Sequence, residues 1–370
     1  MKSLSVDLLA FKWPLLRWDT AMRRVPAVAL CLGLGLAFGQ PAAGAVAAGS
    51  ALSVGFAAMR EVRGSRFLSM GSTILAMSLS AWVGTRTGGS HWLSPMITAL
   101  WAFVFALLTV YDEDIGWVAM QGVLTLVVAS AFPSHGVAAW QRATVLLAGG
   151  VIQFAALATI WYFRGILHPA DTKVPEGKPG PLHGYEHDWR EFSKSFHLQS
   201  IAFQYALRVS LTMVLAVEAG RYLPIKNGYW LPMTTLVILK PDFYRTYSGG
   251  VQRVAGTLLG VIIATLIAWL FHPAVPWLVG LAALFSLFCF AFQKVNPMTS
   301  AAVLTSFVVF MIATTGLPEA TVTVHRLVNT ALGCALALTS QVAGYHHLLN
   351  LFAKWSGEGG DTPQPLRTPT

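Results

Sequence analysis

Twelve apolar runs follow one another along most of the chain, separated by short polar segments. A run of about 20 residues is long enough, as a helix, to cross roughly 30 Å of hydrocarbon. Spans buried inside a bundle are apolar on every side, so helical periodicity adds little here. The pattern predicts an all-α, polytopic membrane helix bundle of about twelve spans, near residues 24–40, 42–59, 66–85, 92–110, 115–132, 141–163, 206–223, 228–240, 252–271, 275–293, 297–315 and 322–343.

Composition agrees with this class. Only 11% of the residues are charged and 55% are hydrophobic, with a mean hydropathy of +0.59. A soluble domain has about 25% charged residues, so a soluble globular protein is excluded. The chain is basic, with a pI of about 9.6, but its basic residues lie between the apolar runs. That placement indicates membrane topology, so a lipid bilayer is an expected partner and nucleic acid is not.

No signature of catalysis or of a cofactor stands out. The sequence has no HExxH, no Walker A lysine and no Gly-x-Ser-x-Gly elbow. The cysteines lie inside apolar runs and are interpreted as small packing residues: Cys31, Cys289 and Cys334. His183, His187 and Asp188 have metal-like spacing only on a helix, which Gly184 disfavours. We predict no enzyme, no metal and no cofactor, and a transporter without an ATP site would be secondary or channel-like.

Lysine and arginine are distributed unevenly between alternate segments. With the N-terminus inside, the inner segments hold 20 of the 25 basic residues, so both termini are predicted to be cytoplasmic in a bacterial inner membrane. A cleaved signal peptide over the first run is the alternative, disfavoured because the repeat described next needs that run. The predicted parts are a cytoplasmic or interfacial N-terminal segment (1–23), a degenerate first six-helix repeat (24–164), a cytoplasmic linker (165–205), a second six-helix repeat (206–345) and a cytoplasmic tail (346–370).

The two halves of the chain repeat at a near-constant spacing. Matching residues are 184 to 187 positions apart: Arg66 and Arg253, Trp82 and Trp269, Arg142 and Arg326, Gly149 and Gly333. Six spans per unit preserve the orientation, so the units are predicted to be parallel repeats.

One motif occurs twice in the second half, as RVAGTLLG from Arg253 and RLVNTALG from Arg326. Its spacing puts the arginine, the Gly or Asn, the threonine and the last glycine on one helical stripe. The small residues Gly256, Gly260 and Gly333 predict close helix packing. The two copies open the third and sixth spans from opposite sides of the membrane, as a three-plus-three inverted repeat would.

Four arginines occupy equivalent helix starts and are candidate residues of an anion pathway: Arg66, Arg142, Arg253 and Arg326. A guanidinium within a lipid-length helix is costly unless something negative lies nearby. At Arg142 and Arg326 the charge also opposes the positive N-terminus of the helix. The negative group could be a passing anion or a protein carboxylate, and snorkelling to lipid headgroups is the competing interpretation, above all at Arg66.

The second span of each half is interrupted. In the first half Pro41, Gly44, Gly49 and Gly55 break the apolar run, and in the second the stretch free of proline and charge, 233–239, is too short to cross. Broken segments at matching places are a pointer to the substrate site of a transporter. A proline-kinked helix that only packs is the alternative.

These residues also carry a family resemblance. YWLPMTTLVILKP, from Tyr229 to Pro241, followed by RVAGTLLG, resembles the fusaric acid resistance proteins, a group that includes bacterial aromatic acid exporters and is distantly similar to plant aluminium-activated malate transporters. The resemblance is specific over about 205–345 and weak over 24–164. It implies an inner-membrane transporter for organic anions, with aromatic carboxylates as the first substrate class and proton-driven efflux. It extends to Tyr229, Trp230, Pro241, Arg253, Gly256, Thr257, Gly260, Arg326, Thr330 and Gly333. Six-helix relatives assemble as dimers, and a twelve-helix chain could contain that unit already fused, so a homo-oligomer stays open.

The candidate pathway residues are Arg253, Arg326, Arg142, Arg66, Tyr229, Trp230, Lys240, Thr257 and Asn329. Tyr229 and Trp230 would stack on an aromatic ligand, or else anchor the helix at the membrane interface. Glu218 is a proton-coupling candidate, but an ion pair with Arg221, three residues later, competes with that role. His325 is the second candidate, and a satisfied interfacial histidine is the alternative.

The predicted function is proton-driven export of organic anions, with aromatic carboxylic acids first. A passive organic-anion channel and a non-transporting membrane scaffold are the alternatives. The exporter predicts flux against a gradient, the channel predicts passive flux, and the scaffold predicts no flux.

Overall fold

A computed structural model describes residues 10–167, 200–316 and 319–355. The predicted pair His183 and His187 lies outside these residues. In the described part, regular structure is helical apart from one isolated bridge between Val62 and Ser65. After a 3₁₀ helix at Trp13–Leu15, the helices are α1 (Trp18–Met22), α2 (Val25–Ala37), α3 (Pro41–Ala57), α4 (Arg66–Thr87), α5 (Leu93–Tyr111), α6 (Glu113–Ser130), α7 (Val137–Leu167), α8 (Ile201–Tyr222), α9 (Trp230–Ile238), α10 (Phe243–Phe271), α11 (Val275–Phe292), α12 (Pro297–Ala313) and α13 (Glu319–Trp355).

Each predicted apolar run coincides with one of the helices α2 to α13, and local chemistry explains where many of them begin. Proline lies in the first turn of α2, α3, α11 and α12, where its missing N–H costs nothing. In α12 and in four other helices a polar side chain accepts a hydrogen bond from a backbone N–H of the first turn. These caps are Ser65 for α4, Asp112 for α6, Ser200 for α8, Asp242 for α10 and Asn296 for α12.

The lengths of the helices support a membrane protein but not a definite number of spans. Among the described residues, seven helices are long and apolar enough to cross a membrane, or eight if the bent pair at the N-terminus forms one span. The protein is therefore a polytopic helical membrane protein. Because α3 and α12 have 17 residues each and α9 has nine, the twelve spans stay a prediction.

Some helices extend beyond the predicted spans. Helix α7 continues to Leu167 and α8 begins at Ile201, inside the predicted linker, while α13 continues to Trp355 in the predicted tail. An α-helix satisfies its own backbone hydrogen bonds. It can therefore continue into water, where an apolar run no longer marks it.

Within each half the same pairs of helices pack together. In the first half α3 packs on α2, α4 and α7, α4 packs also on α6 and α7, and α5 packs on α6. In the second half α9 packs on α8, α10 and α13, α10 packs also on α12 and α13, and α11 packs on α12. The second and sixth helices of a half are thus neighbours, and so are the third and fifth.

The contacts between the halves are reciprocal as well. Helix α5 packs on α8, and α2 packs on α11, which are the same two positions with the halves exchanged. Helix α6 contacts α9, as α12 contacts α3. Two apolar clusters fill these interfaces, one around Phe285, Phe290 and Phe310 and the other around Phe105, Met213 and Leu236.

Glycines allow the closest helix crossings. A Cβ atom at each motif glycine would meet the backbone of a neighbouring helix, which is Met298 for Gly256, Ala302 for Gly260 and Leu231 for Gly333. In the first half Gly149 of α7 contacts the carbonyl of Ala47 in α3 in the same way. The crossing of the sixth helix over the second helix therefore depends on glycine in both halves.

The segment before α2 reaches across to the second half. The backbone N–H of Lys12 donates to the carbonyl of Val295, at 3.0 Å, and the ring of Trp18 makes an edge contact with Phe292. Trp13 is 57% exposed. The beginning of the described chain is thus held by the loop between α11 and α12.

Candidate anion site

Arg326, near the start of α13, is buried without a counter-ion. It is 2% exposed, and its guanidinium carbon lies 4.1 Å from the centre of the Trp230 ring. The Nη1 atom is buried and has no hydrogen-bond partner. Among the described residues no carboxylate lies within ion-pair distance of Arg326. A cation–π contact therefore takes the place of an ion pair.

Arg253 of α10 brings a second guanidinium to the same region. Helices α10 and α13 pack on each other, and the like charges of Arg253 and Arg326 repel each other. The Nε atom of Arg253 is also buried without a hydrogen-bond partner. Two cationic side chains of the second half, Arg253 and Arg326, thus present buried donors that no group of the described protein accepts.

Asn329, one helical turn after Arg326, holds a turn of the backbone. Its side-chain nitrogen donates to the carbonyls of Lys226 and Asn227, at 3.2 and 3.4 Å, and to the carbonyl of His325 at 2.8 Å. Asn227 has a left-handed backbone, with φ 57°. The side-chain Oδ1 of Asn329 is buried and has no hydrogen-bond partner. The structure thus puts the amide nitrogen of this predicted pathway residue on the turn before α9, and leaves its oxygen free.

Replacing Asn329 by alanine is expected to lower the free energy of unfolding by about 1–3 kcal/mol, because the carbonyls of the turn before α9 would lose their side-chain donor. Thermal unfolding in detergent measures the change. Gln141→Ala removes an exposed amide at the equivalent helix start of the first half and should change little. Equal effects of the two substitutions would contradict the role of Asn329 in holding the turn.

The break between α9 and α10 is firmly anchored. Side chains of three helices donate hydrogen bonds to its carbonyls: the hydroxyl of Tyr205 to Leu239, that of Thr246 to Lys240, and the amide of Gln341 to Pro241. Lys240 is half-buried at this break, and Thr257 is buried on α10. The interrupted second span of the second half is therefore a short helix followed by a fixed turn. The interruption predicted in the first half is wrong, because α3 is one continuous helix that starts at Pro41 and contains Gly44, Gly49 and Gly55.

The equivalent arginines of the first half have partners in the protein. Arg66 pairs with Glu61, with Nη2 3.1 Å from Oε1, and its side chain is 54% exposed. Arg142 donates to the hydroxyl of Thr85 at 2.8 Å and to the carbonyl of Phe132 at 2.7 Å. The repeat in sequence therefore does not carry over into equivalent surroundings for the four arginines.

The two proton-coupling candidates have structural contacts. Glu218 accepts a hydrogen bond from Arg221 at 3.0 Å, and Arg221 also donates to the carbonyl of Gly88 at 3.2 Å. This chain of contacts joins α8 to the end of α4, across the two halves. The side chain of His325 is half-buried, and its carbonyl accepts from Asn329.

A cavity of about 270 Å³ lies between the halves. Its walls are the end of α6, the end of α8 and the turn before α9. Tyr229 lines it and joins it to the arginine site, because its ring lies 5.2 Å from that of Trp230 and 5.7 Å from that of Phe132. Sequence reasoning missed Phe132 and the cavity, since the residues that form it are about 90 positions apart.

Two further polar residues escaped prediction. Arg24 is 6% exposed, lies over the ring of Phe290 and has a buried Nε without a partner. Gln153 is fully buried on α7, and both polar atoms of its amide lack partners. A glutamine in the middle of an apolar run was the signal that could have identified Gln153.

Comparison with known proteins locates the resemblance in the second half. Residues 214–340 match the family model described as fusaric acid resistance protein-like. The inner membrane protein YccS of Escherichia coli is 27% identical over 183 residues, which are 50% of this chain and 25% of that protein. An uncharacterised protein of Haemophilus influenzae is 30% identical over 142 residues, which are 38% of this chain and 20% of the relative.

A shorter similarity concerns an uncharacterised transporter, YdhK of Escherichia coli, which is 36% identical over 66 residues, 18% of this chain and 10% of the relative. No solved structure matches this chain significantly. The chain spans only about a fifth to a quarter of the length of the first relatives that it matches. The predicted resemblance is confirmed over residues 214–340, where this membrane protein is similar to the fusaric acid resistance protein-like family.

Proposed function

We propose that the protein is an inner-membrane secondary transporter that exports organic anions, with aromatic carboxylic acids as the first class, driven by the proton gradient. One observation carries the proposal. Arg326 and Arg253 present two buried cationic hydrogen-bond donors, with no carboxylate of the described protein to receive them.

The two buried guanidinium groups favour an anionic ligand. A guanidinium removed from water loses several kcal/mol of solvation unless it is paired and hydrogen-bonded. A carboxylate offers two oxygens with about four acceptor positions, and it pairs with guanidinium through short, charge-assisted hydrogen bonds. An organic anion would satisfy the orphan donors and compensate the repulsion between Arg253 and Arg326.

Among the four equivalent arginines, the contrast between the halves favours an anion site in the second half. Arg66 and Arg142, the counterparts of Arg253 and Arg326, are already satisfied by Glu61 and by Thr85 and Phe132. We assign them structural roles and restrict the anion pathway to the second half. The family match over 214–340 covers the same half.

Trp230 then has a more specific role than stacking on a substrate. One face of its ring is covered by the guanidinium of Arg326, so that face holds the arginine in position. Tyr229, which lines the cavity, remains for an aromatic ligand. The preference for aromatic acids derives from the family resemblance, whereas the preference for an anion derives from the arginines.

The proposed architecture is two six-helix repeats with three-plus-three inverted sub-repeats, twelve spans and both termini in the cytoplasm. The reciprocal packing of α2–α7 and α8–α13 supports it. Within one half, the pairing of the second helix with the sixth mirrors that of the fifth with the third, as an inverted repeat requires. Glu218 and His325 are the proposed proton carriers, with the pairing of Glu218 and Arg221 as a competing structural role.

Flux in proteoliposomes tests the function. Purified protein is reconstituted, and uptake of labelled benzoate, pyridine-carboxylate and malate is followed with and without an imposed pH gradient. A proton-coupled transporter is expected to accumulate an aromatic acid above equilibrium and to lose accumulation when a protonophore is added. Passive flux that ignores the protonophore would favour the channel, and no flux of any acid would refute transport for these classes.

A further inference from the structure

The cavity between the halves has the chemistry of a ligand site, although the buried arginine site does not need it. Phe132 and Tyr229 supply its aromatic walls, while Arg221, Asn227 and Ser130 supply polar groups. At about 270 Å³ it lies just below the usual range of 300–1,000 Å³ for ligand pockets. It therefore suits a molecule with a single ring.

Arg221 has donors left over for a ligand. A guanidinium carries five N–H groups. One nitrogen donates to Glu218 and another to the carbonyl of Gly88, which leaves three N–H groups unused by these two bonds. The side chain is 24% exposed and lines the cavity.

The cavity and the buried site share one rigid frame. Gly220 of α8 and Gly228 contact each other backbone to backbone, so a Cβ atom on either one would collide with the other. The adjacent carbonyl of Asn227 accepts from Asn329, which follows Arg326 by one turn. Movement of α13 that alters the arginine site would therefore also move a wall of the cavity.

We propose that this cavity is a second binding site on the transport route. A carboxylic acid with a single ring binds there, with its carboxylate on Arg221 and its ring against Phe132 and Tyr229. This inference rests on the proposed function, since it places a further site on the same route. Tyr229 separates the two sites, and the ligand passes it between the cavity and Arg326.

Cysteine modification tests the site directly, because Cys31, Cys289 and Cys334 are all buried and give a low background. Ser130→Cys places a thiol in the cavity, and the anionic reagent 2-sulfonatoethyl methanethiosulfonate is applied to the reconstituted protein. Saturating benzoate is expected to slow the modification at least fivefold, and complete modification should lower benzoate flux at least fivefold. Ser90→Cys, in an exposed loop between α4 and α5, should react without protection by benzoate and without loss of flux.

A second substitution makes the test independent of the thiol. Arg221→Gln is expected to raise the KM for benzoate about tenfold with an unchanged maximal rate, and Arg86→Gln, an exposed arginine at the end of α4, should change neither. A Ser130→Cys thiol that benzoate does not protect, or an unchanged KM in Arg221→Gln, would overturn the second site. Loss of flux in Arg326→Gln would in that case still support the buried site, so the two proposals fail separately.

Discussion

Arg326→Gln is expected to abolish anion flux without destabilising the protein. The substitution removes a buried charge that no carboxylate of the described chain neutralises, so its solvation cost disappears while the contact with Trp230 is lost. If a substrate carboxylate pairs with this guanidinium, its loss costs about 2–5 kcal/mol of binding, which corresponds to at least about 30-fold in flux. Flux in proteoliposomes and thermal unfolding in detergent are measured on the same preparation.

The matched control is Arg142→Gln, the same change at the equivalent position of the first half. Arg142 bonds to the hydroxyl of Thr85 and the carbonyl of Phe132. Its loss should therefore destabilise the protein by about 1–3 kcal/mol, while flux through the folded fraction falls far less than in Arg326→Gln, because only the Phe132 wall of the cavity is disturbed. Normal flux in Arg326→Gln would refute the buried anion site, and a large fall in its stability would make Arg326 a structural residue.

Gly260→Ala is expected to destabilise the protein by about 1–3 kcal/mol, although alanine favours a helix. The added methyl group would collide with the carbonyl of Ala302 and lie 2.8 Å from the Cβ of Thr305. Because both belong to α12, helices α10 and α12 would have to separate, which weakens the packing along their whole crossing. Thermal unfolding and the yield of monodisperse protein measure the effect.

Gly249→Ala provides the opposite expectation in the same helix. No atom lies within 4 Å of a Cβ built at Gly249. The change should be neutral or stabilise the protein by up to about 1 kcal/mol, the difference in helix propensity between the two residues. If Gly260→Ala also stabilises, the close crossing of α10 and α12 is not required.

The apolar runs predicted the positions of the helices well, because a lipid-length apolar segment has few alternatives to an α-helix. Proline and charge on either side of residues 233–239 likewise predicted the interrupted second span of the second half, where α9 ends after nine residues at Ile238. Whether every run crosses the bilayer does not follow from apolarity alone. A short helix such as α9 is as apolar as a long one, and its depth depends on its neighbours.

The arginines mark the limit of motif reasoning. Arg142 and Arg326 occupy equivalent positions, yet one meets the carbonyl of Phe132 and the other the ring of Trp230. Their partners lie in other helices or on the backbone, where side-chain patterns carry no information. For the same reason the spacing of the motif identified Asn329 but not the turn that its amide holds.

Helix α9 depends on a segment that is synthesised much later. The hydroxyl of Thr235 donates to the carbonyl of Gly333 at 3.1 Å, across 98 positions of the chain. Until Arg326 has been synthesised, the ring of Trp230 lacks its cation–π partner. The proposed route for charged solutes can therefore form only after α13 has been inserted beside α9.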